Sequence, residues 1–167
     1  MSAPKRIPLP WCRHCLVCGE DNPIGMRARV YKVGDEVQLS WTTRLEHSGW
    51  TNVMHGGFIA TVLDEVMTWS AILASGKPCF AADFHLRMVE TLPAGVACVA
   101  SARLEHARRR VFDVQGTVLD ENGRTYARAH GRYMPAPREC VPHLRDEFVT
   151  APDCMDLSHI FGPPATP

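Results

Sequence analysis

Residues 52–73, NVMHGGFIATVLDEVMTWSAIL, limit the possible folds of this chain more than any other segment. Their large apolar side chains recur every three or four positions, which predicts an amphipathic helix of about five turns; they are Ile59, Val62, Leu63, Val66, Trp69, Ile72 and Leu73. The sequence SGKP that follows contains the glycine and proline typical of a helix end. A helix this apolar must be covered by other structure, so the fold is organised around it.

The segments around this helix have the pattern of β-strands. Residues 28–44 alternate apolar and polar side chains around a GDE turn. Four more strand-like segments follow the helix, at 79–90, 95–107, 109–121 and 124–135. The sequence LDENGR between the last two is a strong hairpin signal. One long helix followed by a run of antiparallel strands predicts an α+β fold in which the sheet wraps around a single buried helix.

Prolines divide the chain into three parts. Of the thirteen, four lie within the first 27 residues, seven lie from residue 135 onward, and only two fall between. Because proline lacks a backbone donor and is excluded from sheet centres, the middle is the regular domain. We therefore expect an N-terminal arm with a cysteine-rich leader at 1–27, a globular domain at 28–136 and a proline-rich C-terminal extension at 137–167.

Charge and composition exclude several classes of partner. Lysine plus arginine equals aspartate plus glutamate at 18 each, so no global field attracts nucleic acid or an acidic membrane surface. The N-terminus has no apolar run of signal-peptide length, and we expect no segment to approach the roughly 20 apolar residues that span a bilayer. The seven cysteines are odd in number and irregularly spaced, which favours reduced thiols. We expect a soluble, cytoplasmic protein.

Two acidic residues, Asp64 and Glu65, stand in the middle of the predicted helix. At about 100° per residue, Asp64 belongs to a stripe of small or polar side chains opposite the large apolar ones; the stripe is Gly57, Ala60, Thr61, Asp64, Thr68 and Ala71. Small side chains allow a second helix or a slender ligand to come close, although a stripe that faces water explains the pattern equally well. Glu65 lies about 100° further around the helix, and we expect a structural role for it.

The helix begins with His55, Gly56 and Gly57. This start places unpaired backbone N–H groups at the positive end of the helix dipole, with no side chain to block a developing oxyanion. Two glycines before a helix are usually only a turn. Combined with a carboxylate on the small-residue stripe, they indicate acyl transfer.

The segment HGGFIATVLDE resembles the signature of the hotdog-fold acyl-CoA thioesterases of the phenylacetate-pathway (PaaI-like) type, with an aspartate nine residues after the histidine. CLVCGEDNPIGM resembles the leader of many bacterial members, and RTYARAHGRYM resembles their last strand. The resemblance implies a hotdog fold, hydrolysis of an acyl-CoA thioester, and a homodimer or a dimer of dimers. It implies no cofactor.

The same resemblance implies a role for each site residue. The N–H of Gly56, helped by Gly57, would polarise the thioester carbonyl, and Asp64 would be the general base or the nucleophile. Asn52 and His55 would orient the thioester or the water. Residues expected to bind substrate are Gly57, Thr68, Arg108 and Arg109; the two arginines belong to the basic segment HARRR, which fits coenzyme A phosphates or, equally well, a solvated strand end.

One departure from the family pattern leaves other functions open. Ala81 stands where many relatives have a threonine that supports the catalytic carboxylate, so that support is missing or comes from Thr61 or Thr68. A non-catalytic acyl-CoA or acyl-lipid binding protein is therefore the alternative to a thioesterase. A hotdog hydratase or dehydratase is a weaker third option.

The spacing of Gly56 and Asp64 indicates how the protein assembles. Eight residues of helix separate them by about 12 Å of rise, too far for both to contact one thioester carbon. Two antiparallel helices across a two-fold axis would bring Asp64 of one chain to Gly56 of the other. We therefore expect the site to be shared between two chains.

The leader also contains Cys12, His14, Cys15 and Cys18, which could be zinc ligands. Structural zinc usually takes two separated ligand pairs, and here three thiols share one short segment. We therefore expect an arm that packs on the sheet, and no metal.

Overall fold

The predicted central helix is present in the computed structural model, which describes residues 4–162. Helix α1 runs from Gly56 to Ser75. His55 caps its first turn, and Gly76 ends it in the left-handed conformation with φ of 66°. Glycine adopts this conformation without steric cost, which is why the helix ends here.

Eleven strands surround this helix in the described part of the chain: β1 (Arg6–Pro8), β2 (Trp11–Cys12), β3 (Val30–Val33), β4 (Glu36–Thr42), β5 (Ser48–Trp50), β6 (Val53–Met54), β7 (Cys79–Met88), β8 (Ala97–Arg108), β9 (Val111–Asp120), β10 (Thr125–Pro135) and β11 (Phe148–Val149). A 3₁₀ turn (Leu45–His47) and helices α2 (Val141–Glu147) and α3 (Ser158–Phe161) complete the elements. Seven strands form one antiparallel sheet in the order β1-β3-β4-β8-β9-β10-β7. This is the α+β hotdog arrangement predicted from the sequence.

The concave face of the sheet holds α1 closely because glycines lie beneath the helix. A Cβ added at Gly116 of β9 would come within 2.9 Å of Met67 Sδ and 3.0 Å of Leu63 Cδ2. The buried face of α1 is the large apolar face expected from its periodicity, with Val62 and Val66 fully buried. The opposite stripe is left partly exposed from Gly57 to Thr68, including Asp64, whereas its last residue, Ala71, is buried.

The N-terminal arm and the C-terminal extension both pack on the domain of their own chain. Strand β1 extends the main sheet beside β3, and β2 pairs with β11 of the extension. Trp69 of α1 contacts Phe148 and Phe161 edge-on, with ring centroids 5.7 and 6.2 Å apart. The first three residues of the predicted arm and the last five of the predicted extension lie outside the described residues.

Helix α1 corrects one sequence expectation. Its 20 residues, with a mean hydropathy of 1.4, are long and apolar enough to cross a membrane by length and composition alone. The expectation that no segment approaches that length was therefore wrong. Half of the apolar window is buried inside the fold, as in the core helix of a globular domain.

Candidate active site

The site centres on the side chain of Asp64, which is half-buried on α1. Tyr133, fully buried on β10, donates a hydrogen bond from its hydroxyl to Asp64 Oδ1 over 3.0 Å. Burial raises the pKa of Asp64, and the bond from Tyr133 acts in the opposite direction. Burial and the nearby carboxylate raise the pKa of Tyr133 well above its usual range, so its hydroxyl keeps its proton and donates.

The pairing register of β10 with β7 shifts between Arg132 and Tyr133. Arg132 pairs with Asp83, whereas the next residue, Tyr133, pairs with Ala81, so Ala82 is an extra residue on β7. Bulges of this kind bend a strand and re-aim a side chain, and they are frequent beside active sites. Tyr133 thus reaches the helix from a strand 69 residues further along the chain.

Tyr133 supplies the hydroxyl that the sequence analysis sought elsewhere. The sequence left open whether that support is missing or comes from Thr61 or Thr68, and Thr61 Oγ1 donates to the Gly57 carbonyl over 2.9 Å within its own helix. Thr68 lies near the Tyr133 hydroxyl and lowers its pKa, against the larger effect of burial. A buried tyrosine usually finds a hydrogen-bond partner, which was the one signal in the sequence for this residue.

The start of α1 provides one free backbone N–H donor, that of Gly56, whereas the sequence predicted two, Gly56 and Gly57. His55 Nδ1 accepts a hydrogen bond from Gly57 N over 2.9 Å, and the His55 carbonyl accepts from Phe58 and Ile59. Gly57 was expected to help polarise the substrate, but its N–H is already bound to His55. Within residues 4–162 the N–H of Gly56 has no acceptor, so it is the donor that a ligand can use.

Asn52 is fixed mainly by the fold. It lies in the turn between β5 and β6 with φ of 56°, a left-handed conformation that asparagine tolerates better than most residues. Its Oδ1 accepts a hydrogen bond from Ala94 N over 3.2 Å, which ties this turn to the loop between β7 and β8. Its Nδ2 group has no partner within residues 4–162 and remains for a bound molecule.

Gly56 and Asp64 remain apart within one chain, as predicted. Helix α1 is continuous from Gly56 through Asp64, so the two are separated by about 12 Å of rise. Beside Gly56 lies a surface cleft of about 360 Å³, lined mostly by apolar residues that include Val53, Ile59 and Met88. One chain therefore carries an oxyanion donor and a carboxylate at two distinct places.

Arg108 and Arg109 lie at the tip of the β8–β9 hairpin, and both are exposed. Arg108 Nε lies 3.7 Å from Asp113 Oδ2 in a surface ion pair. The neighbouring Phe112 pairs with Tyr133, so the tip is at the Asp64–Tyr133 end of the sheet. The start of α1 lies at the other end, because a Cβ at Gly56 would contact Met88 at the far end of β7.

Glu65 points away from this stripe and into the N-terminal arm. Its Oε1 accepts a hydrogen bond from Trp69 Nε1 over 3.2 Å, and its Oε2 accepts one from Cys15 Sγ over 3.3 Å. Burial and the nearby Cys15 raise the pKa of Glu65 to about 8. Neighbours in sequence, Asp64 and Glu65 thus belong to two separate sites.

Comparisons with known proteins agree with this geometry. The model of the thioesterase superfamily matches residues 51–127. No curated protein matches the chain. Among solved structures, the thioesterase superfamily protein RHA08564 is 22% identical with a TM-score of 0.67; the alignment covers 73% of this chain and 60% of that one. This chain therefore spans less than two thirds of the length of that relative.

Two further solved structures are similar. The Escherichia coli PaaI protein from the phenylacetic acid degradation operon is 13% identical, with a TM-score of 0.61 over 66% of this chain and 80% of that one. The Streptococcus mutans protein smu.793, bound to acetyl-CoA, is 17% identical, with a TM-score of 0.57 over 61% of this chain and 82% of that one. At these identities the likeness shows the fold.

A seven-stranded antiparallel sheet wrapped around one central helix defines a hotdog-fold protein. The match to the thioesterase superfamily runs from the turn between β5 and β6, through α1, into β10. The family resemblance of the segment that opens α1 is confirmed, and PaaI proteins are among its structural neighbours.

Proposed function

We propose that this protein hydrolyses an acyl-CoA thioester to a free acid and coenzyme A. The observation that carries the proposal is the Asp64–Tyr133 pair on the exposed stripe of α1, in a helix whose first N–H group is free. The match of residues 51–127 to the thioesterase superfamily model supports the reaction class. The acetyl-CoA in the S. mutans neighbour supports coenzyme A as the carrier.

The site is completed by a second copy of the chain. Strand β7 is an edge of the main sheet over ten residues, and it exposes Phe80 and Met88 at 45% and 43%. A long edge strand with exposed apolar side chains is a template for pairing with another strand. Pairing of β7 with its two-fold mate would set the two α1 helices antiparallel, so that Gly56 of one copy faces Asp64 of the other. A homodimer is the smallest active unit, and a dimer of dimers preserves the same site.

The chemistry then follows from the groups on each side. The Gly56 N–H of one copy binds the thioester oxygen, and Asp64 of the other takes a proton from water, which attacks the carbonyl carbon. The tetrahedral intermediate collapses, the carbon–sulfur bond breaks, and the coenzyme A thiolate takes up the proton held by Asp64. In the alternative route Asp64 attacks the carbon directly, the carbon–sulfur bond breaks and the coenzyme A thiolate leaves; water then hydrolyses the mixed anhydride to the free acid and Asp64, and the proton released goes to the thiolate.

Other residues position these groups. Tyr133 holds the Asp64 carboxylate in one orientation through the bond to Oδ1. His55 fixes the first turn through its bond to Gly57, and because Nδ1 accepts that bond, the neutral ring carries its hydrogen on Nε2. We expect Arg108 and Arg109 to meet the coenzyme A phosphates, because the guanidinium group matches phosphate oxygens. The apolar cleft beside Gly56 suits the acyl group.

A panel of short-chain, long-chain and aromatic acyl-CoA thioesters tests the proposal. The wild type should release coenzyme A from at least one class, Asp64→Asn should not, and the exposed turn variant Asp35→Asn should match the wild type. Saturable binding of acyl-CoA without any turnover would contradict hydrolysis and favour the acyl-CoA binding protein. The seven free cysteines agree with a cytoplasmic location, which stays a prediction.

A further inference from the structure

Two cysteines of the N-terminal arm meet a carboxylate of the central helix at a place that the thioesterase site does not use. Cys15 Sγ, Cys18 Sγ and a carboxylate oxygen of Glu65 all lie within 4.8 Å of one another. Cys18 is buried, and the other two residues are half-buried. From the sequence we expected no metal, because three thiols share one short segment and no separated second pair of ligands matches them. The structure provides a carboxylate instead, from a helix 50 residues away.

The spacing of these atoms suits a four-coordinate ion. Two thiolates at the usual zinc–sulfur distance in a tetrahedron are about 3.8 Å apart, and a thiolate and a carboxylate oxygen are about 3.6 Å apart. Cys15 Sγ and Glu65 Oε2 are 3.3 Å apart. Only small adjustments of the side chains would bring all three groups onto one ion.

The backbone around the two thiols is arranged to stabilise negative sulfur. Val17 N donates to Cys15 Sγ over 3.3 Å, and Cys12 N donates to Cys18 Sγ over 3.4 Å. The turn is closed by Gly19, whose N–H bonds to the Cys15 carbonyl over 3.0 Å. A Cβ at Gly19 would come within 2.5 Å of that carbonyl oxygen, so the turn requires glycine.

A hydrogen bond to its second oxygen also orients the Glu65 carboxylate. Trp69 Nε1 donates to Glu65 Oε1, which leaves Oε2 directed at the cysteines. Hydrogen bonds of this kind orient the ligands in metal sites. No lysine, arginine or histidine in the stretch from residue 4 to residue 162 forms an ion pair with Glu65. A partly buried cluster of three acidic groups therefore lacks a cation.

We propose that Cys15, Cys18 and Glu65 bind a zinc ion that fastens the N-terminal arm to α1. Thiolate ligands select zinc over magnesium or calcium, which prefer oxygen. The fourth ligand is the Cys12 thiol, whose backbone already lies beside Cys18, or a water molecule. The ion is structural, because it lies between the arm and the helix and not on the stripe that carries Asp64.

Metal content and ligand type test this on the full chain, reduced with a non-thiol reductant. After chelation and addition of zinc, the wild type should hold one ion per chain by elemental analysis. X-ray absorption at the zinc edge should show two or three sulfur ligands at about 2.3 Å and oxygen at about 2.0–2.2 Å. Cobalt in place of zinc should give a thiolate charge-transfer band. This measurement on the wild type needs no variant to fold.

Variants then assign the ligands. Cys15→Ser and Cys18→Ser should each weaken the cobalt charge-transfer band and lower zinc affinity at least about a hundredfold, and Glu65→Gln should lower the affinity at least about tenfold. Cys140→Ser changes a half-buried cysteine of the extension and should have no effect. Chelation should lower the Tm of the wild type but not that of Cys18→Ser.

Three outcomes would overturn the proposal. The first is no stoichiometric zinc on the reduced wild type at micromolar metal. The second is an absorption spectrum with only nitrogen and oxygen ligands, as from surface histidines. The third is unchanged zinc affinity in folded Cys15→Ser and Cys18→Ser.

Discussion

Replacement of Asp64 by asparagine separates catalysis from folding. The two side chains have the same shape, and the asparagine Oδ1 can still accept the bond that Tyr133 donates. Asparagine cannot take a proton from water or attack a carbonyl carbon at neutral pH. A general base contributes on the order of 10²- to 10⁴-fold, which corresponds to about 2.7–5.5 kcal/mol of transition-state stabilisation. We therefore expect kcat/KM to fall by at least about a hundredfold.

The same variant should be at least as stable as the wild type at neutral pH. Burial raises the pKa of Asp64 in the folded state, so between its unfolded and folded pKa values the folded protein binds more protons. Over that interval the free energy of unfolding of the wild type falls as the pH rises. Asparagine does not titrate. The Tm of Asp64→Asn should therefore exceed that of the wild type at neutral pH, and the difference should vanish in acid below the unfolded pKa.

The assay has to separate substrate thiol from protein thiol, because the chain contains seven cysteines. Chromatographic measurement of coenzyme A release avoids reagents that would react with them. Asp35→Asn serves as the control for the loss of one exposed carboxylate. A folded Asp64→Asn protein with turnover within tenfold of the wild type would refute the assignment of Asp64 as the reacting carboxylate.

The support of Asp64, its titration and the packing of α1 can be tested separately. Tyr133→Phe removes the bond that lowers the pKa of Asp64, so the acid limb of the kcat/KM profile should move to higher pH. Tyr126→Phe removes a hydroxyl that bonds to Asp120, away from the site, and should leave the limb in place. As the pH is lowered, the wild type should lose activity at a pH above the usual pKa of a carboxylate, because Asp64 must be ionised to act as the base. An acid limb at the usual carboxylate pKa would contradict the effect of burial on Asp64. Gly116→Ala should lower the free energy of unfolding by about 1–3 kcal/mol in chemical denaturation, since its Cβ would crowd Met67. An unchanged free energy would mean that the helix can move off the sheet at little cost.

Local patterns predicted the architecture well. Helix α1 was predicted from the three- and four-residue spacing of its apolar side chains and from the stop at Gly76. Both are properties of residues that are close in sequence, and the sheet that covers the helix followed from them. The separation of Gly56 and Asp64 needed only helix geometry. The apolar length of α1 was misjudged because Asp64 and Glu65 interrupt its sequence without greatly lowering its mean hydropathy.

The features that were missed all depend on contacts between distant segments. Tyr133 reaches Asp64 through a bulge whose place in the strand pairing has no local sequence signal. The N–H of Gly57 is occupied because the His55 ring folds back over Gly57, which has no Cβ to block it. This contact depends on the rotamer that the His55 side chain adopts. Glu65 meets Cys15 only after the arm has packed on the helix. Burial and hydrogen bonding at each place are set by the tertiary structure.

Activity in mixed dimers tests most directly whether the site is shared between two copies. Homodimers of Asp64→Asn and of His55→Ala each contain two damaged sites and should be nearly inactive. When equal amounts are unfolded and refolded together, random pairing makes half of the dimers mixed. Each mixed dimer has one intact site, so activity should recover to roughly a quarter of the wild type per subunit by isologous symmetry. Verified mixed dimers without regained turnover would show that Asp64 and the His55 turn act within one chain.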